Sequence, residues 1–221
     1  HVFCPWGRLL FAVCPLCLGG IVAFCAGECN RAVASGRAHP LSSPATWGGN
    51  PASPLNKESD VIKVLFVCLG NICRSPTAEG VFRELVRRQG LEGDILADSA
   101  GTSGWHVGAP PDSRSQAEAR RRGVDLSGLR SRKVTEEDFG RFDLILGMDR
   151  DNVEDLLDIC PPDRKDRVRL FTEFARTHRA GCVPDPYYGG PDGFAKVFDL
   201  VEDCAGGLLE HLLLRGGGHG E

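Results

Sequence analysis

Val61-Ile62-Lys63-Val64-Leu65-Phe66-Val67-Cys68-Leu69-Gly70-Asn71-Ile72-Cys73-Arg74-Ser75-Pro76 is the stretch that decides the fold. Its first seven residues are apolar except for Lys63 and rich in β-branched side chains. That composition predicts a central strand of a parallel sheet, buried on both faces. Pro76 opens a helical pattern that runs to about Gln89, because a proline in the first helical turn gives up an N–H that has no intrahelical partner. Val81, Leu85 and Val86 supply an apolar face, and Gly90 ends the helix. A strand, a short loop and a helix N-terminus in that order make a seat for an anion, since the first backbone N–H groups of the helix point outward with partial positive charge.

The loop itself carries chemistry. Cys68 and Arg74 stand in a Cys-x5-Arg spacing, Gly70 is expected to let the backbone turn tightly, and Ser75 follows the arginine. Arg74 can hold two phosphate oxygens at once, a geometry that lysine does not reproduce. A cysteine in such a positive field is expected to favour its thiolate, and the Ser75 hydroxyl can stabilise that thiolate as a leaving group. The predicted phosphate-binding set is therefore Leu69, Gly70, Asn71, Ile72, Cys73, Arg74 and Ser75, with Cys68 as nucleophile. The bare spacing recurs once, at Cys25 and Arg31, and serves as a control. There Glu28 sits inside the loop, Ala32 replaces the hydroxyl, and no helical pattern follows. A thiolate attacking phosphorus leaves an alcohol or phenol that needs a proton. Asp185, in Pro184-Asp185-Pro186-Tyr187-Tyr188-Gly189-Gly190, is the candidate acid, although an Asp-Pro step is equally what an Asx turn looks like.

Farther out, strands are predicted at 95–100, 142–148 and 168–171, and helices at 113–122, 149–159 and from 194 to about 212. The last helix shows Phe194, Val197, Phe198, Val201, Cys204, Leu208 and Leu212 at helical spacing, weakened by Gly206-Gly207. Alternation of strands and helices predicts an α/β domain over residues 61–221, its parallel sheet covered on both faces. Ligands in such sheets bind beyond the carboxyl ends of the strands.

Residues 1–60 are of another character. They hold four bases and three acids, against 22 bases and 27 acids in residues 61–221. The run 9–26 is mostly apolar but carries Pro15 and Gly19-Gly20, and a membrane span needs about 20 uninterrupted apolar residues. No stable membrane insertion is expected. Residues 35–54 are rich in Ser, Ala, Pro and Gly and contain no acid, as transit peptides are. A targeting-like or poorly ordered extension is the expectation, with a plastid as destination and a cytoplasmic chain as the alternative. The Cys14/Cys17 and Cys25/Cys29 spacings have no following set at zinc-finger spacing, so no metal is expected. The formal net charge of −4 argues against a nucleic-acid partner.

The segments 67–76 and 185–188 together resemble the low-molecular-weight protein tyrosine phosphatases. Asp98-Ser99-Ala100-Gly101-Thr102-Ser103-Gly104-Trp105-His106-Val107-Gly108, Pro110-Pro111-Asp112 and Phe142-Asp143-Leu144-Ile145-Leu146-Gly147-Met148-Asp149 extend the likeness from residue 61 to about 214. The resemblance implies a twisted four-stranded parallel sheet and metal-free, cofactor-free hydrolysis of phosphotyrosine or a small phosphomonoester through a phosphocysteine. It also implies Cys68 as nucleophile, Arg74 as phosphate clamp, and Asp185 as acid and then base. Asn71 would hold the loop, and Trp105 and Tyr187 would be aromatic walls that stack on a phenyl ring. Cys73 would be a redox partner shielding Cys68 by a reversible disulfide. Assembly is expected to be a monomer or weak dimer.

Many relatives have a histidine where Leu129 stands, which puts the support of Asn71 and Ser75 in question. Arsenate reductases of this fold need two more cysteines midway along the domain, and residues 140–147 hold none. Arginine phosphatases usually carry Thr at Ile72 and lack the tyrosine pair. A non-catalytic phosphotyrosine-binding module would be expected to lose Cys68 or Asp185, and both are present.

Overall fold

The computed structural model describes residues 61–190 and 192–216. The extension, with its targeting pattern, its zinc-like spacings and the Cys25/Arg31 control, lies outside the described residues. Four strands form the sheet: β1 (Ile62–Cys68), β2 (Ile95–Gly101), β3 (Leu144–Gly147) and β4 (Val168–Leu170). All neighbours are parallel, in the order β2-β1-β3-β4. Helices α1 (Arg74–Arg88), α2 (Ser113–Arg121), α3 (Asp138–Arg141), α4 (Arg150–Ile159) and α5 (Gly193–Gly216) connect and cover it. Among the described residues no helix is long and apolar enough to cross a membrane.

The alternation within β1 divides the core in two. Val64, Phe66 and Cys68 join a cluster with Val81, Phe82 and Val86 of α1 and Val197, Phe198 and Val201 of α5. Leu65 and Val67 join the opposite cluster with Phe139 of α3 and Leu156 of α4. Phe66 meets Phe82 and Phe171 edge-on, with ring centroids 5.6 and 5.2 Å apart. Burial on both faces explains why β1 is apolar without alternation.

Several boundaries differ from the sequence expectation. Helix α1 begins at Arg74, two residues before the proline that announced it. Strand β3 covers only four of the seven residues expected there, and the short α3 went unpredicted, a single turn being too brief for periodicity to register. Two 3-10 turns, Pro162–Arg167 and Phe171–Phe174, flank β4. Helix α5 runs unbroken through Gly206-Gly207. Those glycines are a packing device: a side chain at Gly207 would place its Cβ 2.0 Å from the Phe174 carbonyl oxygen.

The chain leaves β1 for β2 on one side and later returns to β3 on the other. The carboxyl ends of β1 and β3 are therefore where the strand order reverses, the usual place for a ligand in such sheets. The loop 68–75 opens there.

Candidate active site

The loop between β1 and α1 wraps around the Cys68 sulfur. Its carbonyls are claimed from outside. Thr102 N donates to Cys68 O at 2.9 Å, Ser103 N to Leu69 O at 2.9 Å, Ser131 Oγ to Gly70 O at 3.2 Å, and Asp112 N to Ile72 O at 2.8 Å. Thr77 Oγ1 donates to Cys73 O at 2.7 Å. Carbonyls bound on the outside turn the intervening N–H groups inward, and Asn71 N indeed donates to Cys68 Sγ at 3.3 Å. Helix α1 carries no acid in its first turn and no side-chain cap, so its N-terminal field faces the loop uncompensated.

The tight turn is made differently from the sequence expectation. Asn71, not Gly70, adopts the left-handed conformation, with φ of 54°. Asparagine tolerates this region better than most side chains, and here its own hydrogen bonds hold it there. Its Nδ2 donates to Ser75 Oγ and Ser99 Oγ, both at 2.9 Å, and its Oδ1 accepts from Arg132 N at 2.9 Å. Gly101, at the end of β2, is required for another reason: a Cβ there would lie 2.7 Å from the Leu69 carbonyl oxygen. Leu129 packs half-buried against the apolar core, and Asn71 is held here by the Arg132 backbone, Ser75 and Ser99.

Ser75 Oγ lies 3.1 Å from Cys68 Sγ and also reaches the Ala100 carbonyl at 3.2 Å. Arg74 is buried to 4% exposure, yet its guanidinium is ringed by acceptors. It pairs with Asp149, donates to the Val183 carbonyl at 3.3 Å and reaches Asp185 Oδ2 at 3.5 Å. Burial opposes its charge, but Cys68, Asp149 and Asp185 more than offset that and raise its pKa. Asp149 is a site residue that sequence reasoning missed. It caps α4 by accepting from Asn152 N at 2.7 Å, and an aspartate just before a helix reads as a cap and nothing more.

Asp185 enters from the far side. Val183 N donates to Met148 O at 2.8 Å, which stitches this loop to the exit of β3, and Pro186 is buried beneath it. Asp185 Oδ1 accepts from Tyr187 N at 3.0 Å while Oδ2 faces Arg74. The Asx turn and the candidate acid are the same residue, so the two readings are compatible. Cys68, Leu69, Gly70, Ile72, Cys73, Arg74, Trp105, His106, Asp185, Tyr187 and Tyr188 line one cleft. Every predicted site residue except Asn71 and Ser75 lies on that lining, and those two support it from behind. Trp105 is 77% exposed and Tyr187 41%, so neither is a core aromatic. Arg114 stacks over the Tyr187 ring at 5.1 Å and donates to its carbonyl at 3.1 Å. His106 and Tyr188 are additional lining residues; only tertiary folding brings them to the cleft.

Residues 63–215 match the family model described as low molecular weight phosphotyrosine protein phosphatase. The chain belongs to this family. The low molecular weight protein-tyrosine-phosphatase YfkJ of Bacillus subtilis is 43% identical over 149 residues, covering 67% of this chain and 94% of YfkJ. The low molecular weight phosphotyrosine protein phosphatase of Homo sapiens is 41% identical over 153 residues, 66% of this chain and 93% of the human protein. A crystal structure of the protein tyrosine phosphatase from Entamoeba histolytica, with Hepes in its active site, aligns with a TM-score of 0.67 at 43% identity. It covers 68% of this chain and 96% of that one. In all three the match falls on the domain that holds the cleft of this phosphatase-family chain.

Proposed function

We propose that this chain is a protein-tyrosine phosphatase that hydrolyses phosphotyrosine and small aryl phosphates through a phosphocysteine, with no metal required. The observation that carries this is the placement of Cys68 Sγ at the base of a cleft shared with Arg74 and Asp185 and walled by aromatic rings. The Cys68 thiolate attacks phosphorus, forming the S–P bond as the P–O bond to the phenol breaks. Arg74, aimed by Asp149, holds two non-bridging oxygens. Asp185 donates its proton to the departing phenolate, and its weak 3.5 Å contact with Arg74 is given up to the incoming phosphate. Water then attacks phosphorus, Asp185 takes its proton, and the S–P electrons return to a thiolate stabilised by Ser75 and Asn71 N. Ile72 and the rings of Trp105 and Tyr187 suit a flat phenyl ring better than a phosphorylated guanidinium.

Single-turnover hydrolysis of an aryl phosphate by the full chain, with EDTA present, tests the proposal. Activity that survives EDTA, vanishes in Cys68→Ser and falls steeply in Asp185→Ala is expected. An inactive, reduced wild-type protein would overturn the enzymatic assignment and favour phosphate binding without turnover.

Two finer points belong to the same proposal. Burial and the nearby Asp112 push the Cys73 thiol up to about 12, which disfavours its thiolate. A Cys68 sulfenic acid would then condense with Cys73, releasing water and forming the protective disulfide. The composition of residues 35–54 supports delivery to a plastid, which imaging of a fluorescent fusion checks against a cytoplasmic location.

A further inference from the structure

Arg114, in the first turn of α2, lies outside the cleft lining yet reaches toward both loops that form the cleft. Its Nε and Nη2 donate to the two carboxylate oxygens of Asp112 at 3.0 and 2.9 Å. Its Nη1 donates to the Tyr187 carbonyl at 3.1 Å. The guanidinium carbon lies over two rings, 5.1 Å from the centre of Tyr187 and 4.7 Å from that of Phe194. Contacts of this kind steady an arginine whose side chain is half-exposed. The cap of α2 does not need this side chain. Asp112 Oδ1 accepts from Arg114 N at 2.8 Å, a bond to the backbone that any residue at 114 would keep.

Both ends of the contact lead to reacting groups. At one end, Asp112 N holds the Ile72 carbonyl of the phosphate loop at 2.8 Å. At the other, Tyr187 N donates to Asp185 Oδ1 at 3.0 Å, which leaves Oδ2 to face Arg74. Because Oδ1 already accepts that N–H, the proton of the acid belongs on Oδ2. The Asp185 side chain is 47% exposed, so it turns readily, and the N–H of a fixed Tyr187 decides which oxygen faces phosphorus. We infer that Arg114 is a positioning residue: it ties the Tyr187 carbonyl to Asp112, and so to the phosphate loop, and thereby aims Asp185 Oδ2 at the leaving group. This step rests on Asp185 being the acid of the reaction proposed above.

The test uses the full chain with Arg114→Met, Arg114→Lys, Asp185→Asn and the Arg114→Met/Asp185→Asn double variant. The rate of phenol release in a single turnover is measured with phenyl phosphate and with 2,4-dinitrophenyl phosphate, because it follows phosphoryl transfer to Cys68. Arg114→Met removes the fork but keeps much of the apolar stem. It should slow release of phenol about three- to tenfold, the scale of one hydrogen bond. Release of dinitrophenolate, which needs no proton, should slow by less than about twofold. Arg114→Lys should show the same leaving-group-dependent loss, since an ammonium cannot reproduce the paired bonds to Asp112 together with the bond to Tyr187. In the Asp185→Asn background Arg114→Met should cost nothing further, because both changes remove the same proton transfer.

Equal losses for the two leaving groups, no loss for either, or multiplied losses in the double variant overturn the inference. Should Arg114→Met fail to fold, Arg114→Lys, which keeps a charge beside Asp112, decides with the same two substrates. The amide proton of Tyr187 reports the contact without turnover. Its chemical shift follows the titration of Asp185 through their hydrogen bond, and that movement should shrink in Arg114→Met or Arg114→Lys. An unchanged movement overturns the inference. A wild type that turns over nothing, with the smaller movement still seen in the variant, sinks the phosphatase proposal and not the positioning one.

Discussion

The phosphate loop and the loop that brings Asp185 meet at one cleft but are built on opposite plans. In the first, Cys68, Asn71, Arg74 and Ser75 are all at most 4% exposed, and neighbouring strands and loops claim the carbonyls. In the second, Asp185, Tyr187 and Tyr188 are exposed, and only Val183 and Pro186 are buried beneath them. Charge development at phosphorus is best met by donors that cannot reorient, so the anion seat is assembled in the core. An acid that changes partners, and rings that admit substrate, belong on a rim with few bonds to break.

The largest test of that contrast is Cys68→Ser, which should abolish turnover, a loss on the order of 10⁴-fold or more, while inorganic phosphate still binds. Retained turnover in a burst assay would show that the buried loop is only a binding seat. Asp185→Asn should lower kcat by about 10²- to 10⁴-fold for phenyl phosphates. The loss should shrink for leaving groups that need no proton, such as 2,4-dinitrophenolate; an equal loss for both would mean Asp185 acts through the loop and not as the acid. Arg74→Lys keeps the charge but not the bidentate fork, and kcat/KM should drop by about 10²- to 10³-fold.

A fourth prediction concerns the anchorage of the rim loop. Asp203 of α5 accepts from Thr177 N, His178 N and Thr177 Oγ1 at 2.9 to 3.3 Å and pairs with His178 Nδ1 at 3.1 Å. Burial opposes its charge, but those donors hold the carboxyl below the ordinary range. A depressed pKa means stability that is present above the unfolded value of about 3.9 and lost as pH falls through and below it. Asp203→Asn should therefore cost about 1–3 kcal/mol at pH 7 in denaturant titrations, a gap that narrows below about pH 4. A gap that stays constant down to pH 2 would rule this linkage out. The smallest effect belongs to Trp105→Ala, which should raise KM for aryl phosphates about two- to tenfold with little change in kcat, the worth of one stacking contact. A kcat loss larger than the KM rise would make Trp105 part of the loop's support instead of a wall.

Much of this was legible from local pattern. The buried strand 61–67, the Cys-x5-Arg loop and the helix after it are contiguous, and each segment's period or turn chemistry is local. Asp185 was legible only in part, because an Asx turn and a general acid look alike until Arg74 stands opposite. Asp149 was hidden behind its capping role. Conformational freedom points to Gly70 for the tight turn, whereas the bonds from Arg132 and to Ser99 hold the left-handed residue at Asn71. No window of sequence contains those three residues together.

By itself the sequence determined the α/β class, the strand that is buried on both faces, and the reactive residue types, because periodicity and spacing are properties of neighbouring residues. Only the tertiary structure decided that β1 lies between β2 and β3, that Asp149 and Asp185 converge on Arg74, and that Ser99 and Glu79 stand behind Asn71. Those outcomes depend on the order in which strands pair and on which buried polar atoms must find partners. They are settled by packing between residues 20 to 111 positions apart in the chain, where local propensity carries no information.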